Sequence, residues 1–228
     1  MKISDFRLFA IAFILSILMA SPEAQAGSQN RPFPENINPL ERYVFYMHGA
    51  GIENKGTSID NKYYDILDAL EAKGFVTIGE VRSDIHIMGY AKRTAKQVRR
   101  LIAAGVPPGN ITISGHSRGA KITMRVAAVL KEPQVRFIPI AGCGYQQGHG
   151  STAKYKKFTK KLASKLQGAF MIMWEESDEI AGDCDTAMKL AANVTYKNMK
   201  LTVGGGHKLF HKPEPSWIDP FAAFAKGE

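Results

Sequence analysis

The run ITISGHSRGAKITM, residues 111 to 124, decides how the chain is to be read. Ile111, Thr112 and Ile113 are β-branched and follow the turn signal Pro107-Pro108-Gly109-Asn110, which predicts a short strand. Ile122, Val126, Ala127 and Leu130 then recur at helical spacing, so a helix opens near Ala120. Between the two stands Gly115-His116-Ser117-Arg118-Gly119. A serine flanked by glycines on the bend between a strand and a helix is the nucleophile-elbow pattern. Small neighbours let strand and helix approach closely, and the bend lifts the Ser117 hydroxyl toward solvent. The backbone N–H of Arg118, at a helix N-terminus, faces any negative charge that develops on a bound carbonyl oxygen.

With 228 residues, 45% of them hydrophobic, the chain has enough apolar material for one domain with a full core. Its first segment reads separately. Lys2 and Arg7 flank a short polar start, Leu8 to Ala20 is almost wholly apolar, and Ala24-Gln25-Ala26 is a small-residue cleavage site. Residues 1–26 are therefore expected to be a signal peptide, leaving 27–228 as a single exported domain, periplasmic or extracellular. Their removal takes Lys2 and Arg7 together with Asp5 and Glu23, so the formal charge stays at +9. A basic surface of this kind favours anionic partners such as acidic lipid or envelope polymers, or serves simply as a solvated face. In an oxidising compartment Cys143 and Cys184 are expected to pair, which in the chain-entropy account contributes roughly 4 kcal/mol; two buried thiols are the alternative.

Outward from the elbow, elements of two periods alternate. Tyr43 to Met47 is a continuous apolar run, predicted as a buried strand, and His48-Gly49-Ala50-Gly51 as the tight turn after it. A helix is expected over Ile59–Lys73, a strand over Phe75–Val81 and a helix over Ala91–Ala104. After the elbow come a strand over Val135–Ile140, a glycine-rich loop, and a helix over Lys154–Leu166. That helix carries Tyr155, Phe158, Leu162 and Leu166 on one face and Lys154, Lys157, Lys160, Lys161 and Lys165 elsewhere. It reads as a membrane- or polymer-facing basic helix or as an ordinary surface helix. Next are a strand over Ala169–Trp174 with an acidic exit, a helix over Ala187–Ala192, and a last strand over Met199–Val203 running into Gly204-Gly205-Gly206-His207. Trp217, Phe221 and Phe224 share a face of a closing helix. Strands alternating with helices predict an α/β fold: a mostly parallel sheet of about six strands with helices on both faces.

Functional groups of such sheets gather at the carboxyl ends of the strands. Four of those ends carry chemistry here: HGAG at 48–51, Ser117, the Glu175–Asp185 loop and His207. With HGAG, GHSRG, SDEIAG and GGGHKLF each at the expected strand end and in the order serine, acid, histidine, the chain resembles the α/β-hydrolase family over residues 43 to 226. The resemblance implies a serine hydrolase, most simply a carboxylic ester hydrolase forming an acyl-enzyme, with Ser117 as nucleophile, His207 as base and Asp178 as orienting acid. It also implies an oxyanion hole from the N–H of Arg118 and an N–H of Ala50 or Gly51. Too few residues precede Tyr43 for the family's first two strands, so these are expected to be trimmed, and no insertion is long enough for a cap.

Several readings stay open at this stage. Glu176, Asp183 and Asp185 lie in the same loop as Asp178, while His149 and His211 rival His207. His48 and His116 read as structural members of their turns. Arg118 could hold an anionic substrate group or be solvated. The same fold also serves thioesterases, amidases and acyltransferases, or a non-catalytic protein that binds anionic envelope components. Neither H-E-x-x-H nor CxxC occurs, and no phosphate loop, so neither metal nor cofactor is expected. The expected partner is a small ester, with weak contact to an anionic membrane or envelope surface, no nucleic acid, and a monomeric state.

Overall fold

A computed structural model describes residues 30–58, 60–83, 86–146 and 150–228. The expected signal peptide lies outside the described residues, as does His149. In chain order the elements are β1 (Tyr43–Met47), α1 (Ala50–Lys55), α2 (Tyr63–Ala72), β2 (Val76–Ile78), α3 (Ile87–Ala103), β3 (Ile111–His116), α4 (Arg118–Leu130) and β4 (Arg136–Ile140). A two-stranded ribbon, β5 (Tyr145–Gln146) and β6 (Gly150–Ser151), follows; then α5 (Ala153–Leu162), β7 (Gln167–Glu175), α6 (Asp185–Lys189), β8 (Asn193–Leu201) and α7 (Pro215–Lys226).

Six strands form the main sheet in the order β2-β1-β3-β4-β7-β8, and every pairing in it is parallel. Alternate side chains of β1 feed two separate cores, as the pleat requires. Tyr43, Phe45 and Met47 join Val98 of α3, Val126 of α4 and Phe158 of α5 on one face. Val44 and Tyr46 join Leu67 of α2 and Trp217 and Phe221 of α7 on the other. Both faces are covered, which is why the central strands read as unbroken apolar runs. Among the described residues no helix is long and apolar enough to cross a membrane.

The register sets the site. Met47 pairs with Gly115, His116 with Ile140, Met173 with Ile140, and Glu175 with Leu201, so the carboxyl ends of β1, β3, β4, β7 and β8 fall along one edge. The chain before β1 docks back across the sheet: Arg31 bridges Gly79 through paired backbone hydrogen bonds and reaches Glu71 at 2.7 Å. Cys143, just past β4, and Cys184, just before α6, are bridged, with their Cα atoms 5.2 Å apart.

Several elements differ from expectation: α2 starts at Tyr63 rather than Ile59, β2 is only Val76–Ile78, and α3 starts at Ile87 rather than Ala91. HGAG is not only a turn: Ala50 and Gly51 are the first residues of α1. The helix expected over Ala187–Ala192 is shorter and earlier, at Asp185–Lys189, and the last strand begins at Asn193 rather than Met199. Residues 193 to 198 lie at the edge of the sheet, mostly exposed and polar, so they carry no apolar signal to read.

Candidate active site

Ser117 has φ +55° and ψ −105°, a conformation that non-glycine residues seldom adopt. Its N–H is held by the carbonyl of Ile140 at 2.8 Å, and its own carbonyl accepts from Lys121 N–H as α4 begins. The two glycines of the elbow are there because backbone passes against backbone. A Cβ on Gly119 would lie 1.9 Å from the Met47 carbonyl oxygen, and one on Gly115 2.6 Å from the same atom. The exit of β1 is thus pressed onto the elbow, and a Cβ on Gly49 would lie 3.5 Å from that of Ser117. That contact brings the start of α1, with the backbone N–H groups of Ala50 and Gly51, beside the start of α4 with that of Arg118. The first N–H groups of a helix have no partner within it, so these are donors free to meet an incoming oxygen.

The acid loop and the histidine loop meet across β7 and β8. Asp178 is 3% exposed; one carboxylate oxygen accepts from the N–H groups of Ile180 and Ala181 at 2.8 and 3.0 Å, and the other lies 2.8 Å from His207 Nδ1. An imidazole that donates from Nδ1 presents Nε2 as an acceptor. The rival carboxylates are engaged elsewhere: Glu176 with Lys200, Asp183 with the Asp185 N–H, and Asp185 with Asn198 and Lys189. The His207 ring stands 4.5 Å, centroid to centroid, from that of His116, the residue before Ser117. Among the described residues the Ser117 hydroxyl has no hydrogen-bond partner of its own.

Two groups that sequence reasoning passed over hold this edge together. Glu175, 1% exposed, accepts from the N–H groups of Ser177, Gly204 and Gly206 at 2.8, 3.0 and 3.1 Å and from the Ser177 hydroxyl. Burial pushes its carboxyl up, but these hydrogen bonds outweigh burial and hold it below the usual carboxylate range. One carboxylate therefore fastens the loop of Asp178 to the loop of His207. Gly204, Gly205 and Gly206 all have φ between +51° and +92°, which lets the N–H groups of Gly204 and Gly206 both turn in to Glu175.

The second group lies under α1. Arg82 and Glu53, with side chains 1% and 2% exposed, form a buried pair at 2.9 Å, and Glu53 also binds Arg118. Arg118 is thus not simply solvated: it shares the single charge of Glu53 with Arg82. Arg82 N–H donates to His48 Nε2 at 2.9 Å, and His48 Nδ1 lies 2.8 Å from the Gly49 carbonyl, which fixes the ring as the Nδ1–H tautomer. Burial, then the Arg82 charge, pushes the His48 pKa down to about 3. His116, also buried, is pushed well below 6.5 by burial and then by His207 and His211. Both rings are neutral packing members of their turns. His211, 5.4 Å from His116, is lowered as well, chiefly by burial.

Signals for these residues existed. Arg82 lies four residues past the end of β2, and Glu175 is the last residue of β7 rather than the first of its acidic exit.

The arrangement invites comparison with known folds. An esterase of the hyperthermophilic archaeon Pyrobaculum calidifontis superposes with a TM-score of 0.54, covering 86% of this chain and 79% of that one at 15% identity. A lipase-esterase related protein from Clostridium acetobutylicum gives 0.52, with 84% and 96% covered at 14% identity. The chain has the α/β-hydrolase fold. SOBER1 from Arabidopsis thaliana shares it, with a TM-score of 0.50 over 82% of this chain and 98% of that one at 12% identity. No protein-family model and no curated protein matches the sequence, so the α/β-hydrolase likeness is one of fold. Among the described residues the first strand of the sheet in chain order is the one before the HGAG turn. An open cleft of about 860 Å³, lined among others by Gly51, Asn61, Val203, Gly205, Leu209 and His211, runs along the histidine loop. Among the described residues no group of three His, Cys, Asp or Glu side chains is placed to hold a metal ion.

Proposed function

We propose that the chain is an exported serine hydrolase that cleaves carboxylic esters through an acyl-enzyme. Ser117 Oγ attacks the ester carbonyl carbon while His207 Nε2 takes the hydroxyl proton. The tetrahedral oxyanion is met by the N–H of Arg118 and that of Ala50 or Gly51. Collapse breaks the bond to the alcohol, which leaves with the proton from His207. Water, deprotonated by the same ring, then attacks the acyl-serine, and the acid departs as Ser117 recovers its proton. Asp178 holds the ring in the Nδ1–H tautomer throughout and disperses the charge of the imidazolium.

The observation that carries this reading is the pairing of a serine held at φ +55° on a strand-to-helix bend with a His207–Asp178 pair at 2.8 Å packed against the neighbouring residue. Export is supported by the signal-like start of the sequence and by the Cys143–Cys184 bridge. The test is labelling by a fluorophosphonate probe and hydrolysis of p-nitrophenyl esters, both lost in Ser117→Ala. A folded Ser117→Ala that keeps full activity would overturn the proposal. Absence of labelling, joined to salt-sensitive binding to anionic vesicles, would instead favour a binding protein.

A further inference from the structure

Three cations of α4 stand in line. Arg118, Lys121 and Arg125 are spaced i, i+3 and i+7, which places them on one face of the helix. Helical side chains lean toward the N-terminus of their helix, so this face leans toward Ser117, whose carbonyl accepts from the Lys121 N–H. Arg118 has Glu53. Lys121 and Arg125, both half-buried, have no carboxylate partner among the described residues. Arg125 spends one donor on the Lys121 carbonyl at 2.7 Å and lies 5.1 Å from the Phe158 ring centre. Elsewhere Arg31 is matched by Asp68 and Glu71, Arg82 and Arg118 share Glu53, and Arg136 leans on the Gly109 carbonyl.

Lys121, Arg125 and Lys154 together rim a slot of about 60 Å³ whose floor is apolar, formed by Met124, Tyr155, Phe158 and the bridged Cys143. Burial, then the charges of Lys154, Arg118 and Arg125, pushes the Lys121 pKa down, and burial lowers that of Arg125. Gathering cations over an apolar floor without a counter-charge is unfavourable unless an anion completes the arrangement. An apolar floor below a cationic rim fits a short run of methylenes ending in a carboxylate.

We propose that this slot is the acid-recognition subsite of the site, and that the ester it takes carries a carboxylate a few methylenes from the carbonyl that Ser117 attacks. The proposal rests on the hydrolase reading for its reaction but not for its binding. The exposed lysines farther along α5, Lys157, Lys160 and Lys161, point to an extended polymer only if the slot itself is indifferent to charge.

The test compares mono-p-nitrophenyl adipate with p-nitrophenyl hexanoate, esters of equal acyl length that differ in one terminal carboxylate. Wild-type protein is expected to favour the adipate at least tenfold in kcat/KM. Lys121→Gln and Arg125→Gln should each reduce that ratio by roughly tenfold, the worth of one hydrogen bond to a charged group. Equal turnover of the two esters by the wild type, or a ratio unmoved in both variants, overturns the subsite while leaving the hydrolase standing. Binding is read separately by calorimetry on Ser117→Ala with monomethyl adipate and methyl hexanoate. Adipate binding that Lys121→Gln weakens tenfold sustains the subsite even if no ester is turned over. Adipate binding no tighter than hexanoate binding overturns it, whatever vesicles or polymers do.

Discussion

Replacing Glu175 by Gln tests whether one buried carboxylate positions the loops of Asp178 and His207. Oε2 faces the N–H groups of Ser177 and Gly206 and the Ser177 hydroxyl, and Oε1 faces the N–H of Gly204. A glutamine does best by keeping its carbonyl oxygen where three donors converge, so its NH2 then meets the Gly204 N–H head-on. One part-buried donor loses its acceptor, at about 1–3 kcal/mol, and the three remaining bonds fall from charged to neutral acceptors. The net loss is about 3 kcal/mol, which for a domain of this size lowers Tm by roughly 6–12 °C. The loop of Gly204 is the one that carries His207, and misplacing a catalytic group by about 1 Å costs on the order of 10²-fold. Differential scanning calorimetry and p-nitrophenyl ester kinetics, read below the transition, should therefore show a lower Tm and a kcat reduced about a hundredfold with KM little changed. Glu175→Gln with wild-type Tm and kcat would refute the reasoning. A lowered Tm with full kcat would confine Glu175 to stability.

Asp178→Asn should lower kcat by about 10³–10⁴ by letting His207 adopt the wrong tautomer, whereas Glu176→Gln, Asp183→Asn and Asp185→Asn should stay within about threefold in the same assay. Loss of activity in one of the latter three instead would reassign the acid. Gly119→Ala forces a methyl onto the Met47 carbonyl at 1.9 Å and should cost about 3 kcal/mol or more; an unshifted urea midpoint would contradict the packing of β1 on the elbow. His48, pushed down to about 3 by burial and Arg82, refuses a proton that the unfolded chain accepts below about pH 6.5. Stability should therefore fall as pH drops from about 6.5 toward 3, at up to ~1.4 kcal/mol per pH unit from this residue, and His48→Asn should flatten that slope in urea titrations at pH 7.5, 5.5 and 4.5. Equal slopes would show that His48 is not the group concerned.

The central strands and the elbow were legible because their chemistry is repeated: apolar runs for β1 and β7, glycines on either side of Ser117 where backbone meets backbone. Order along the chain also brought out the strand ends that converge. What the sequence could not show is which charges are buried. Glu175, Glu53 and Arg82 look like ordinary surface residues until partners 29 to 65 positions away are brought alongside. The choice of Asp178 over its acidic neighbours likewise turns on a local feature without a sequence signature, the inward N–H groups of Ile180 and Ala181 that aim its carboxylate. Residues 193 to 198 were illegible for the opposite reason, since a strand at the margin of a sheet needs no apolar side chains.

That margin has a consequence for how copies of the protein meet. At one side of the sheet β8 offers a long, mostly exposed border carrying Lys197 and Lys200; at the other, the three-residue β2 is followed at once by Gly79, already hydrogen-bonded to Arg31. Lysine repels a like border, and a capped short strand leaves little ladder to extend. Strand exchange between neighbouring molecules is thus disfavoured at both flanks of the sheet.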